Sequence, residues 1–160
     1  MKPILILFLF SWLVGCSGVH KQEIIPDRFK NFMSTYFHDY SYEYKDTSAR
    51  GNKNYGEQYA LIKIKKEDLN QNTIESVYKK LLKGGWRLVE TNHKNYVNFC
   101  FGDNFSLIIL YPLGGVEKTP SGIPLSYDDI NSWHISLYKS TAKLAACNQN
   151  PKDFIDFTKL

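Results

Sequence analysis

A chain of 160 residues with 43% hydrophobic and 15% aromatic side chains can bury one sizeable core without a structural metal. Its formal charge of +4 is mild, and the basic residues are spread along the chain, with Lys63, Lys65 and Lys66 in one place and Lys79, Lys80 and Lys83 in another. Such a balance reads as solvated faces that support solubility and provides no basic stripe of the kind that grips nucleic acid.

At the N-terminus, Met1 and Lys2 precede an apolar run from Ile4 to Leu13, the length of a signal-peptide hydrophobic region. A membrane-spanning helix needs roughly 20 apolar residues. This run meets Gly15, Ser17, Gly18, His20 and Lys21 too soon for that. Leu13, Val14, Gly15 and Cys16 resemble the lipobox of bacterial prolipoproteins, in which small residues precede a cysteine that takes a diacylglyceryl thioether before cleavage. The resemblance covers the N-terminal segment alone. It implies a signal peptide over residues 1 to 15, lipidation of Cys16, and a protein held on the membrane by palmitate-like acyl chains, facing the periplasm or the exterior of the cell envelope. More than one chain is the condition for stable anchoring. Ser17 stands where lipoproteins retained at the inner membrane often carry Asp, so the resemblance leans toward the outer membrane. That compartment also removes nucleic acid as a partner.

With Cys16 lipidated, Cys100 and Cys147 remain as a pair in an oxidising compartment, and a single intrachain disulfide is possible. Closing that loop is worth about 4 kcal/mol by chain entropy. The alternative is two separate thiols, one buried on its strand and one exposed. No Cys-x-x-Cys spacing suggests redox chemistry.

Along the mature chain, residues 17 to 25 form a polar tether that spans at most about 30 Å, so the domain over residues 26 to 160 sits close to its membrane. Phe29, Phe32, Met33, Tyr36 and Phe37 recur at helical spacing behind Pro26 and predict a helix over 26 to 37. Tyr40, Tyr42 and Tyr44 alternate with polar residues as in a half-buried strand, residues 46 to 56 read as a loop, and Ala60, Ile62 and Ile64 alternate in a second strand. Ile74, Val77, Tyr78, Leu81 and Leu82 form an amphipathic helix that Asn72 or Thr73 can cap and Gly84 can end. Strands follow at Trp86 to Glu90, Tyr96 to Phe101 and Phe105 to Tyr111, the last two joined by a Gly102-Asp103-Asn104 turn. Phe105 to Tyr111 is apolar at nearly every position and should be central.

From Pro112 to about Asn131 the chain is too irregular for strand or helix, and loops of this length usually carry function. Trp133, Ile135 and Leu137 alternate in a last strand, and Phe154, Ile155 and Phe157 beyond Pro151 can form a short docking helix. The expected fold is α+β: an antiparallel sheet of about five or six strands with one or two helices packed on one face.

Catalytic constellations are missing from the pattern. No Gly-x-Ser-x-Gly places a nucleophile on a turn, and Gly84-Gly85 precedes a strand instead of opening a phosphate-binding helix. His20, His38, His93 and His134 have no partner at metal-ligand spacing, so neither a metal nor a cofactor is expected. His93 and His134 could still meet in space. Asp128 and Asp129 could hold a cation, but adjacent carboxylates in a loop more simply start a turn or cap a helix. The sequence therefore points away from an enzyme and toward a membrane-anchored envelope protein that binds another protein, as an immunity or accessory factor would. Tyr127, with Asp128 and Asp129, is its candidate partner-binding group, because loops on a rigid scaffold commonly carry recognition. The alternative is a protein that binds or hydrolyses cell-wall glycan or lipid.

Overall fold

The computed structural model describes residues 25–48, 57–91, 94–119 and 122–148. Cys16 and the signal segment, the tether up to residue 24, most of the 46 to 56 loop, His20, His93 and the expected helix beyond Pro151 lie outside the described residues.

The elements run α1 (Asp27–Tyr36), β1 (Glu43–Asp46), β2 (Gln58–Lys65), α2 (Gln71–Lys83), β3 (Arg87–Thr91), β4 (Tyr96–Phe101), β5 (Phe105–Leu110), β6 (Val116–Lys118), β7 (Pro124–Ser126), β8 (Ser132–Lys139) and α3 (Ala145–Asn148). Six strands form one antiparallel sheet in the order β1-β2-β8-β5-β4-β3, and β6 pairs with β7 in a separate two-stranded sheet. This is the expected α+β fold. The apolar strand β5 is central, as its composition requires, with β8 beside it.

Register explains which side carries the core. Ile62 lies opposite Ile135, Ile135 opposite Ile109, and Ile109 opposite Val97, so one row of side chains crosses four strands on a single face. That face is covered by Phe29, Phe32, Met33 and Phe37 around α1 and by Ile74, Val77 and Leu81 of α2, all in one continuous buried cluster. Burying a side chain such as Leu107 or Ile135 completely is worth about 1.5–3 kcal/mol each. The other face alternates Lys63, His134, Leu110 and Tyr96 at one end with Tyr138, Ser106 and Cys100 at the other.

Local chemistry sets the element ends, in places a few residues from the expected ones. The cap of α2 is Asn70, whose Oδ1 accepts the backbone N–H of Asn72 and Thr73 at 3.0 and 2.9 Å. At its other end Gly84 is the C-cap, Gly85 takes the left-handed φ of 89°, Gly85 N–H donates to the Leu82 carbonyl and Trp86 N–H to that of Leu81. These two bonds make a Schellman ending, which keeps Trp86 in the helix stop and starts β3 at Arg87. Tyr40 N–H still bonds Phe37 O in the turn after α1, so β1 begins at Glu43.

Cys100 and Cys147 are joined as a disulfide, their Cα atoms 5.5 Å apart. It fastens α3 against β4 on the face away from α1 and α2. Arg87 reinforces it by donating to the Cys147 carbonyl at 2.9 Å.

Candidate functional site

The stretch from Pro112 to Asn131 is more ordered than its composition suggests. Val116 pairs with Ser126, Glu117 with Leu125 and Lys118 with Pro124, a flap of two three-residue strands too short to show any period. Glu117 organises its base. Its Oε1 accepts the Gly114 N–H at 2.7 Å and also that of Leu113, while Oε2 accepts from the Asn95 side chain, which ties the flap to the start of β4. On the sheet side, Lys66 donates to the Pro112 carbonyl at 2.5 Å and stands 3.9 Å from the centre of the Tyr111 ring. Desolvation lowers the pKa of that amine, with Glu117 and Asp129 acting in the opposite sense.

The three residues expected to touch a partner follow β7 in the connection to β8, each already engaged within the chain. The Tyr127 ring packs on His134, centroids 5.2 Å apart, and burial together with the charge of Glu117 pushes its hydroxyl up to about 12. Asp128 meets the Lys63 amine at 2.7 Å and stays exposed, its pKa lowered first by that hydrogen bond. Asp129 accepts from Ser132 Oγ at 2.7 Å and from Asn131 N–H at 2.8 Å, and these bonds, with Lys65 nearby, hold its carboxyl down at about 2. Asp129 thus opens the turn into β8, and its carbonyl lies 2.6 Å from His134 Nε2. His38 is far away in the chain and pairs with its neighbour Asp39 at 3.0 Å. Among the described residues no group of three His, Cys, Asp or Glu side chains is placed to hold a metal ion.

Val116 and Ile123 of the flap are exposed, as are Leu113 before it and Ile130 after it. Leu113 also belongs to a cleft of about 570 Å³ between α2 and the β3–β4 edge of the sheet. Ile74, Tyr78, Leu82, Leu88, Val97, Phe99 and Trp133 line its apolar part, and Glu75, Lys94, Asn95 and Thr91 stand among its polar groups. Leu82 and Leu88 form opposing walls and remain 51% and 47% exposed, although Leu88 lies opposite Phe99 on the helix-covered face. The cause is the position of α2, which leaves the inner side of β3 partly uncovered. Burial and the nearby carboxylates Glu75 and Glu90 raise the Tyr78 and Tyr96 hydroxyls above their ordinary pKa, so both remain neutral. The cleft is within the size range of sites that bury small ligands or side chains.

Sequence periodicity missed this cleft. Leu82 continues the apolar stripe of α2 and reads as core, and Leu88 reads as one apolar position in a short strand. A stripe one residue wider than the sheet can cover was the available signal.

The cleft meets the base of the flap at Leu113 and Asn95 and runs along the sheet to Leu88, in the row of Phe99 and Leu107. The chain enters at α1, whose Phe29 ring packs on Phe105 at the start of β5, and the flap leaves from the opposite end of that strand. Six residues of strand separate the two ends by roughly 20 Å.

No protein-family model matches the chain, nor does any curated protein or solved structure.

Proposed function

We propose that this chain is a lipid-anchored protein of the bacterial envelope that works by binding another protein without chemistry, in the manner of an immunity or accessory factor. The anchor rests on the lipobox resemblance at Leu13-Val14-Gly15-Cys16. One observation carries the binding reading: the exposed apolar side chains of Leu82, Leu88 and Leu113 all line one open cleft. Exposed apolar patches ringed by polar groups mark interaction surfaces, and here Leu82, Leu88 and Leu113 supply one along the cleft.

The test is photo-crosslinking in living cells. Leu113 is replaced by a photoreactive phenylalanine analogue, and exposed Lys45 on β1 serves as the control position. A discrete adduct with one envelope protein from position 113 and none from position 45 supports the reading. No adduct from position 113, or the same adducts from both, rejects it. Metabolic labelling with a palmitate analogue, lost in Cys16→Ser, tests the anchor separately.

A further inference from the structure

We infer that the cleft between α2 and β3 takes an extended peptide segment of the partner, which pairs along β3, the terminal strand of the sheet, and seats an apolar side chain between Leu82 and Leu88. The inference rests on the protein-binding reading and names what that partner presents.

Three features of the cleft select this occupant. First, β3 is the terminal strand of the six-stranded sheet, so no strand among the described residues lies along its outer side. An edge strand beside a groove can receive an added strand, with alternate side chains falling into the groove. The register slip between Leu88 and Glu90 leaves Leu88 and Val89 both exposed and keeps the ladder short. The seated side chain therefore supplies much of the recognition.

Second, size and polarity disfavour other guests. At about 570 Å³ the cleft is too small to enclose two turns of a helix, which is about 10 Å across. An acyl chain laid along β3 would take water from edge amide and carbonyl groups without replacing their hydrogen bonds. A peptide backbone replaces them.

Third, lysines stand in and next to the cleft wall in the sequence. Lys94 lines the cleft, and exposed Lys79 and Lys83 follow the wall residues Tyr78 and Leu82. Against them stands Glu75, while Glu90 accepts from the Tyr96 hydroxyl at 3.1 Å. The matching segment is apolar in its middle and acidic at its ends.

The experiment uses the full chain in lipid nanodiscs and fluorescence polarisation of short labelled peptides. The first probe alternates Val and Phe between Asp and Glu ends, the second has Lys ends, and the third repeats the first with an N-methylated backbone. The first is expected to bind, and the other two at least tenfold more weakly. Leu88→Glu should weaken the first probe at least tenfold. The pair Lys79→Glu and Lys94→Glu should weaken it too while strengthening the Lys-ended probe. Because these side chains are exposed, a melting temperature close to the parent's confirms that the variants fold. Failure of the first probe to bind, equal binding of the N-methylated probe, or no effect of Leu88→Glu overturns the inference. So does displacement of the first probe by lauric acid together with equal binding of the N-methylated probe, which would make the cleft an acyl site. If the Leu113 crosslink persists in Leu88→Glu, the protein-binding reading stands and the edge-pairing inference falls. If no crosslink forms in the parent, both fall.

Discussion

Trp133 donates its indole N–H to the carbonyl of Leu69 at 2.5 Å, a buried bond across 64 positions of sequence. It ties β8 to the turn that launches α2, and the same indole lines the cleft. The placement of α2, and with it the uncovered strip that makes the cleft, depends on this contact. Replacing Trp133 by Phe keeps most of the apolar volume but leaves the Leu69 carbonyl buried without its donor. The expected loss is about 1–3 kcal/mol, read as a lower melting temperature and a lower urea midpoint with an unchanged slope. An unchanged midpoint would remove the bond from the account.

The disulfide acts on a different part of the molecule. Cys100 and Cys147 close a loop with a sequence separation of 47 and are both buried. Replacing both with Ala should cost about 4 kcal/mol in the chain-entropy account. Thermal melts of the parent with and without reductant, compared with the variant, check this. A parent that melts identically in both conditions, and like the variant, would mean that the bond is absent in the isolated protein.

At the start of α2, the Asn70 side chain satisfies two backbone donors that the helix itself cannot. Asn70→Ala is expected to cost about 1 kcal/mol, while Thr73→Ala, which removes the residue that the periodic pattern also favours as cap, costs less. Chemical denaturation of both variants ranks them, and a larger loss at position 73 would contradict the observed cap.

Acid should loosen the turn into β8. Asp129 is held at about 2, chiefly by Ser132 and Asn131, against an ordinary value of about 3.9. A depressed carboxylate pKa contributes stability that is fully present above about pH 4 and fades as pH falls toward 2. Amide exchange at Asn131 and Ser132 should therefore quicken relative to the rest of β8 between pH 4 and pH 2, after correction for intrinsic rates. Asp129→Asn should flatten that dependence, and an unchanged profile in the variant would assign the effect to another carboxylate.

Glu117 makes the flap's base a single hydrogen-bonded unit with Asn95 and the backbone of Leu113 and Gly114. Glu117→Ala should raise proteolytic cleavage between Pro112 and Asn131 several-fold while the global melting temperature moves little, since the flap belongs to a separate two-stranded sheet. Equal protection in the variant would show that Tyr127 on His134 and the Lys63–Asp128 pair suffice.

Much of the scaffold is legible in the sequence, because a strand or helix with one buried face repeats apolar residues at its own period. The stripe of Phe29, Phe32 and Met33 predicts α1, the uniform apolarity of Phe105 to Leu110 predicts a central strand, and the small polar turn at Gly102 to Asn104 predicts the hairpin. The α2 cap is displaced because Gln71, Asn72 and Thr73 add no apolar period before Ile74, so the pattern begins a turn late. The flap escapes notice for a similar reason: three residues contain no period, and Pro124 argues against a strand that only pairing with Lys118 creates. The candidate residues Tyr127, Asp128 and Asp129 are visible as polar and aromatic groups in a loop. Their engagement with His134, Lys63 and Ser132 depends on residues far off in the chain or across a turn.

By itself the sequence determined the α+β class, the amphipathic helices, the central strand and the two cysteines available for a bond, since each follows from local composition and period. Tertiary structure decided the strand order, the pairing of the flap and the offset of α2 that leaves Leu82 and Leu88 half-covered. Those depend on distant contacts such as Trp133 with Leu69, whose energies no local pattern encodes.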